Sequence, residues 1–323
     1  MSNHERDLSQ FLNYDDIDLR KPLSVLWANK LFLAVFTSLF ALVSIIYSLT
    51  LNNIYTAQTL LAPNSTSDLS ANLSQYSNLA SMAGITLPRS SSGISDKDIA
   101  LSLIKSKALL QKLINEHNIL PDLFAAQAWD LESGVISYDQ NLYDHDKGLW
   151  VRKVKPPHRL IPSAQEAFAF FEKGISISED KKTGVITLEV DHLSPEVAYQ
   201  WSLLIIQEIN EYVADMRIKE AQLSIDYLND QIKITPYPEL RAMFYELIQQ
   251  HTQSMMLAKV RHEYALTTLD APLIPEEKSG PQRLLLVVLL SFLGFILSIF
   301  IILIRLYFFK LEDSMHLNFK NFQ

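Results

Sequence analysis

The chain has no cysteine among its 323 residues. Disulfides, thiolate metal ligands and a cysteine nucleophile are thereby excluded, while an oxidising compartment is not. Glycine is scarce: none of the eight is followed by lysine, so there is no Walker-type phosphate loop. Neither H-E-x-x-H nor G-x-S-x-G occurs. Positive charge is in deficit, with 28 Lys and Arg against 36 Asp and Glu and a net charge of −8. A nucleic-acid binder needs a basic footprint, which this chain lacks. Little is left that would support an enzyme, and no cofactor, metal or catalytic residue is implied.

Apolar sequence, by contrast, is concentrated at two places. Leu31–Leu51 and Leu284–Ile304 carry no charged residue. Each, at about 21 residues and roughly 1.5 Å per residue, gives a helix about 31 Å long, enough to cross a bilayer. The first run is longer than a signal-peptide core and no small-residue cleavage site follows Leu51, so it reads as a retained anchor. Arg20, Lys21 and Lys30 precede it, and no Lys or Arg follows until Arg89. Across the second run the bias is weak, with Lys278 and Arg283 before it and Arg305 and Lys310 after it. The stronger asymmetry puts both termini in the cytoplasm. The expected division is a cytoplasmic segment 1–30, spans 31–51 and 284–304, an external domain 52–283, and a short tail 305–323. Small residues recur on one side of each span: Ala34, Ser38, Ala41, Ser44 and Ser48 in the first, Ser291, Gly294 and Ser298 in the second. Such stripes let helices approach closely in lipid and are expected to pair the two spans.

Between the spans, Asn53–Ala62 reads as a strand closed by Pro63, and Ser65–Ser92 as a Ser/Asn-rich loop with a helical turn at Leu73–Met82. Ser95–His117 reads as one amphipathic helix capped at Ser95. Asp122–Arg159 is mixed, with a strand at Leu149–Val154; Ser163–Lys173 is a short helix. Ile175–Ser178 and Val185–Asp191 flank the turn-rich Glu179–Gly184 as a hairpin. Ser194-Pro195-Glu196 then places a cap, a first-turn proline and an acid where a helix begins. Helical periodicity runs from there to Ile234 and, after Pro236 and Pro238, again over Glu239–Leu266, giving an antiparallel pair of long helices. Thr267–Ile274 is a return strand, and Pro272, Pro275 and Pro281 stiffen the approach to the second span. The fold class is therefore α+β: a sheet-containing base near the lipid and a protruding helical hairpin.

Few clusters suggest chemistry. His262-Glu263 lacks the second histidine of a metal motif and reads as helix surface. Asp144-His145-Asp146 has too few convergent ligands for a metal, so a solvated loop is favoured. Arg152, Lys153, Lys155 and Arg159 form the one dense basic patch, suited to an anionic polymer or lipid phosphate, or simply to solvent. Two non-enzymatic classes stay open on the residues alone: a two-span sensor read by a separate partner, and a membrane-anchored scaffold.

The arrangement resembles the polysaccharide co-polymerase family, the Wzz-type chain-length determinants. The resemblance rests on Asp16–Leu19, on Leu79–Leu87 (LASMAGITL), on Asp180–Leu188 (DKKTGVITL) continuing into His192–Pro195, and on Met256–Ala258, Tyr264, Asp270–Pro272, Pro275 and Ser279–Pro281. Glu276-Glu277-Lys278 departs from the proline-rich pattern. The resemblance implies an inner-membrane protein of two spans with a periplasmic α+β domain. It further implies a ring-like homo-oligomer that sets the modal chain length of lipopolysaccharide O-antigen or a related polymer. Its partners would be the membrane polymerase, the growing polysaccharide and the bilayer, with no nucleic acid. An export co-polymerase working with a separate kinase is the alternative. Under this reading Trp201, Ile205, Tyr212 and Met216 with Phe244 and Leu247 face neighbouring protomers; packing within one protomer satisfies the same faces equally well. Ala34, Ser38, Gly294 and Ser298 pack the spans.

Overall fold

Alternation of apolar and polar residues creates the sheet. A computed structural model describes residues 26–64 and 95–320, with side chains up to Arg305. The segment 1–25, with Asp16–Leu19, and the loop Ser65–Ser92, with Leu79–Leu87, lie outside the described residues. The chain divides into two compact units, 1–52 with 280–323, and 53–279.

In the second unit, β1 (Tyr55–Pro63) buries Tyr55, Ala57, Thr59 and Leu61, while β7 (Ile186–His192) buries Ile186, Leu188, Val190 and His192. With β6 (Ile175–Glu179) and β8 (Leu266–Asp270) they form an antiparallel sheet in the order β6-β7-β1-β8. The period of two puts one row of side chains from each strand on a single face. On that face lie the helices α2 (Asp96–Ile104), α3 (Lys107–His117), α5 (Ala164–Gly174) and the first half of α6 (Pro195–Ile234), which complete the main core. Thr59 and Ser202 share a buried hydroxyl–hydroxyl bond of 2.8 Å that ties β1 to α6.

The helix starts follow their capping chemistry. The side chains of Ser95, Ser106, Ser163 and Ser194 accept the backbone N–H of Asp98, Leu109, Glu166 and Val197 respectively. Ser106 is the reason the expected single helix 95–117 is two: its oxygen caps a fresh start at Lys107, and the chain turns at Lys105. Asn118, at φ 50°, ends α3, and a short helix α4 (Leu120–Phe124) with Pro121 in its first turn follows.

The stretch 122–159 holds more strand than its sequence suggests. It folds as two small hairpins, β2 (Ala126–Trp129) with β3 (Ile136–Tyr138) and β4 (Tyr143–Asp144) with β5 (Leu149–Trp150). The expected strand 149–154 is cut to two residues because Arg152 turns inward.

α6 runs unbroken for 40 residues, as its periodicity predicts. Its partner α7 (Pro238–Val260) stops before the expected Leu266, which belongs to β8. His262-Glu263 accordingly lies off the helix, where the Glu263 carboxylate accepts the N–H of Thr268. A second, smaller core of Leu228, Phe244 and Leu247 sits between α6 and α7.

In the first unit, α1 (Lys30–Thr50) and α8 (Arg283–Lys320) pack against each other. Both are long and apolar enough to cross a membrane, over Lys30–Thr50 and Arg283–Arg305. The second helix does not stop with the apolar run at Ile304 but continues to Lys320.

Candidate interaction surfaces

The α1–α8 contact is built on small residues. At Gly294 the approach is close: a Cβ placed there would lie 2.5 Å from the Cβ of Phe40, a distance real side chains do not tolerate. Ser298, Ser44 and Ser48 are buried in the same contact, and Ser298 donates to the carbonyl of Phe295. Ala41 is half-buried, whereas Ala34 and Ser38 face away from the partner helix. Of the small residues expected to pack the spans, Gly294 and Ser298 lie in this contact, while Ala34 and Ser38 are exposed and their neighbours Leu33 and Thr37 are half-buried.

On α6 and α7, Trp201, Ile205, Phe244 and Leu247 are buried within the chain itself. Trp201 and Ile205 fill the main core, with the Trp201 ring 5.1 Å from the His192 ring, while Phe244 and Leu247 fill the smaller one. Met216 is half-buried against the main core, and Tyr212 is exposed. Of the six side chains assigned to neighbouring protomers, five are therefore engaged inside one chain. Besides Tyr212, the apolar side chains left open on the hairpin include Leu223, Tyr227, Tyr245 and Met256. Pro272, Pro275 and Pro281 lie in the connection between β8 and α8, which is neither helix nor strand except for a single bridge residue at Gly280.

Buried polar groups besides Ser202, among them His192, Glu208 and Asn210, anchor α6. His192 lies just ahead of it; its Nδ1 accepts the N–H of Ser194 and its Nε2 donates to the carbonyl of Asp122. Both ring nitrogens are satisfied by the neutral tautomer, and burial pushes the imidazole pKa down. Glu208 is buried in mid-helix, where its carboxylate meets His117 Nε2 at 2.8 Å and Lys112 Nζ at 2.5 Å. Burial alone would raise its pKa; His117 and Lys112 outweigh that and hold it below the usual range. Glu116, His117 and Glu208 bring their donor atoms within 4.8 Å of one another, a spacing compatible with a metal. The Lys112 ammonium already neutralises Glu208, so the cluster is complete as an ion-pair network. Asn210, two residues further on, bonds to the backbone of Ala265 and of Leu266 at the start of β8.

The 122–166 region carries the two clusters noticed in the sequence. Asp144 accepts from the backbone N–H and ammonium of Lys147, closing a turn, and His145 stacks on Tyr138 at 4.8 Å. Tyr138, Asp144 and His145 line an open cleft of about 420 Å³ with Gln140 and Tyr143. Tyr138 donates to Asp122, and burial together with that carboxylate raises its pKa. Within the basic patch Arg152 differs from its neighbours. It is buried, donates to the carbonyls of Leu160 (2.9 Å) and Arg159, and pairs with Glu166 at 2.7 Å. That pairing pulls the Glu166 carboxyl down to about 2.

Sequence reasoning missed the β2–β3 hairpin, although a signal for it was present. Asp130–Gly134 repeats the pattern of Asp180–Gly184, an Asp followed by a Ser or Thr and then Gly at the fifth position. In both turns the aspartate accepts local N–H or O–H groups, and the glycine adopts positive φ (68° and 70°) and donates back to the aspartate carbonyl.

Residues 15–117 match the family model described as "Wzz: Chain length determinant protein". No curated protein matches the chain. Among solved structures, a full-length bacterial polysaccharide co-polymerase aligns at 14% identity over 91% of this chain and 98% of its own, with a TM-score of 0.36. A fragment of WzzB, a polysaccharide co-polymerase from Salmonella Typhimurium, aligns at 13% identity over 71% and 100%, with a TM-score of 0.33. A Wzz dodecamer fitted to a cryo-EM map aligns at 10% identity over 70% and 100%, with a TM-score of 0.26.

Proposed function

We propose, for a chain that carries the Wzz chain length determinant segment over residues 15–117, a non-catalytic inner-membrane regulator of O-antigen or related surface-polysaccharide length. That segment carries the reading and supports chain length regulation at the level of the family. Wzz-type proteins reside in the inner membrane, and the two apolar helices fit that residence. In the proposed topology α1 and the apolar part of α8 span the bilayer, both termini are cytoplasmic, and 52–283 is periplasmic. Copies of the chain assemble into a ring, and the spans meet the polymerase, which releases the growing polysaccharide at a preferred length. Because Trp201, Ile205, Phe244 and Leu247 are used within the chain, the ring contacts in this proposal fall on exposed hairpin residues such as Tyr212, Tyr227 and Tyr245.

Deleting the gene and separating the extracted lipopolysaccharide on a gel tests the proposal. Loss of clustered band lengths, with polymer still made, is the expected outcome. Complete loss of polymer would mark an enzyme or an exporter, and an unchanged ladder a sensor or a different glycan.

A further inference from the structure

The loop 152–161 is held in a fixed form by its first residue. The Arg152 guanidinium bonds the carbonyls of Arg159 and Leu160, pairs with Glu166 and lies 5.4 Å over the Phe124 ring. This clamp closes the loop on itself, and the side chains it leaves outside are of two kinds. Val154, Leu160 and Ile161 are branched aliphatics exposed at 39, 53 and 60%. Lys153, Lys155 and Arg159 are exposed cations that form no ion pair with a described residue. No Asp or Glu occurs from Lys147 to Gln165, in a chain whose net charge is −8.

We infer that this loop is a docking surface for an anionic phospholipid bilayer. Cations interleaved with aliphatic side chains suit a headgroup layer, where ammonium and guanidinium groups meet phosphate and the aliphatics reach the acyl boundary. Solvation alone accounts for the cations but leaves three aliphatics in water on a loop rigid enough to have hidden them. A sugar surface would offer aromatic faces, and 153–161 holds no Tyr, Trp or Phe. The inference rests on the reading above that the apolar helices span a bilayer.

The absence of cysteine makes the test direct. Ile161→Cys in the full chain is labelled with a polarity-sensitive fluorophore and reconstituted in nanodiscs of phosphatidylcholine, with or without phosphatidylglycerol. Quenching is read from lipid-borne nitroxides. Expected is quenching at least about twofold stronger in the anionic discs, reduced to the neutral-lipid level by Lys153→Gln, Lys155→Gln and Arg159→Gln together. A label at Leu223→Cys on α6 is the exposed control. Equal quenching at 161 and 223, or at 161 in both lipids, overturns the inference, as does a response at 161 to added soluble polysaccharide and not to lipid. Ile296→Cys in α8 reads the spanning helices separately. If that label is quenched and Ile161→Cys is not, the inference alone fails; if it is not, the spanning reading fails first.

Discussion

Asn210 holds both peptide groups of Leu266. Its Oδ1 accepts the Leu266 N–H at 2.9 Å and its Nδ2 donates to the Leu266 carbonyl at 3.0 Å, while the same Oδ1 accepts from Ala265 at 2.8 Å. One buried side chain thus does for β8 what a neighbouring strand would do, and it fixes where α7 must have ended. Asn210→Leu leaves three backbone groups buried and unpaired. A loss of about 2–4 kcal/mol in chemical denaturation of the intact chain is expected, since each orphaned group costs about 1–3 kcal/mol and the structure relaxes in part.

Gly294→Leu should separate the α1–α8 pair, because even a Cβ meets Phe40 at 2.5 Å. Melting of the whole chain in detergent should begin at a lower temperature than for Leu293→Ala, which alters an exposed side chain on the same helix. Equal midpoints for the two variants would remove the close approach as a stabilising feature.

Acid should weaken the domain in two stages. His192 has a folded pKa below its unfolded value, so the unfolded chain binds the proton first. Its contribution is complete above about pH 6.5 and declines as the pH falls below that. Glu166 is depressed to about 2 by Arg152, so its contribution holds above the ordinary carboxylate range and is lost as the pH falls toward 2. Denaturation midpoints measured from pH 8 to pH 3 should show both stages. His192→Gln should flatten the upper one, and Glu166→Gln the lower.

Phe244→Ala should loosen the far end of the hairpin and spare the sheet. Truncating a buried phenylalanine costs about 3–5 kcal/mol, and its core is small, with Leu228 and Leu247 buried beside it and Ile232, Met243 and Ile248 packed around them. Hydrogen exchange should accelerate over 228–247 with protection of β1 and β7 retained. Uniform acceleration would mean that the two cores unfold as one.

The sequence was most informative where one physical rule acts alone. Ser194-Pro195-Glu196 set the start of α6, and the turn Asp180–Gly184 set the β6–β7 register. It was misleading where a distant partner decides. Leu266 fits a helical period but is claimed by Asn210 and β1; Lys105 lies inside a helical pattern, yet Ser106 restarts the helix. Arg152 looked like one more surface cation among its neighbours, and nothing local reveals that Glu166 and two carbonyls draw it inward. Of the six side chains expected at neighbouring protomers, all but Tyr212 are held in their own chain, by the same apolar character that suits them to an interface.

Between Pro195 and Ile234 there is no further proline and no glycine, and the two cores share this single helix. From Ala214, the last buried residue of the larger core on α6, to Leu228 in the smaller is 14 steps of about 1.5 Å, or roughly 21 Å. With no joint along the rod, that gap is a gauge written in residue count. Inserting or deleting whole turns would reset it in increments of about 5.4 Å without touching either cluster.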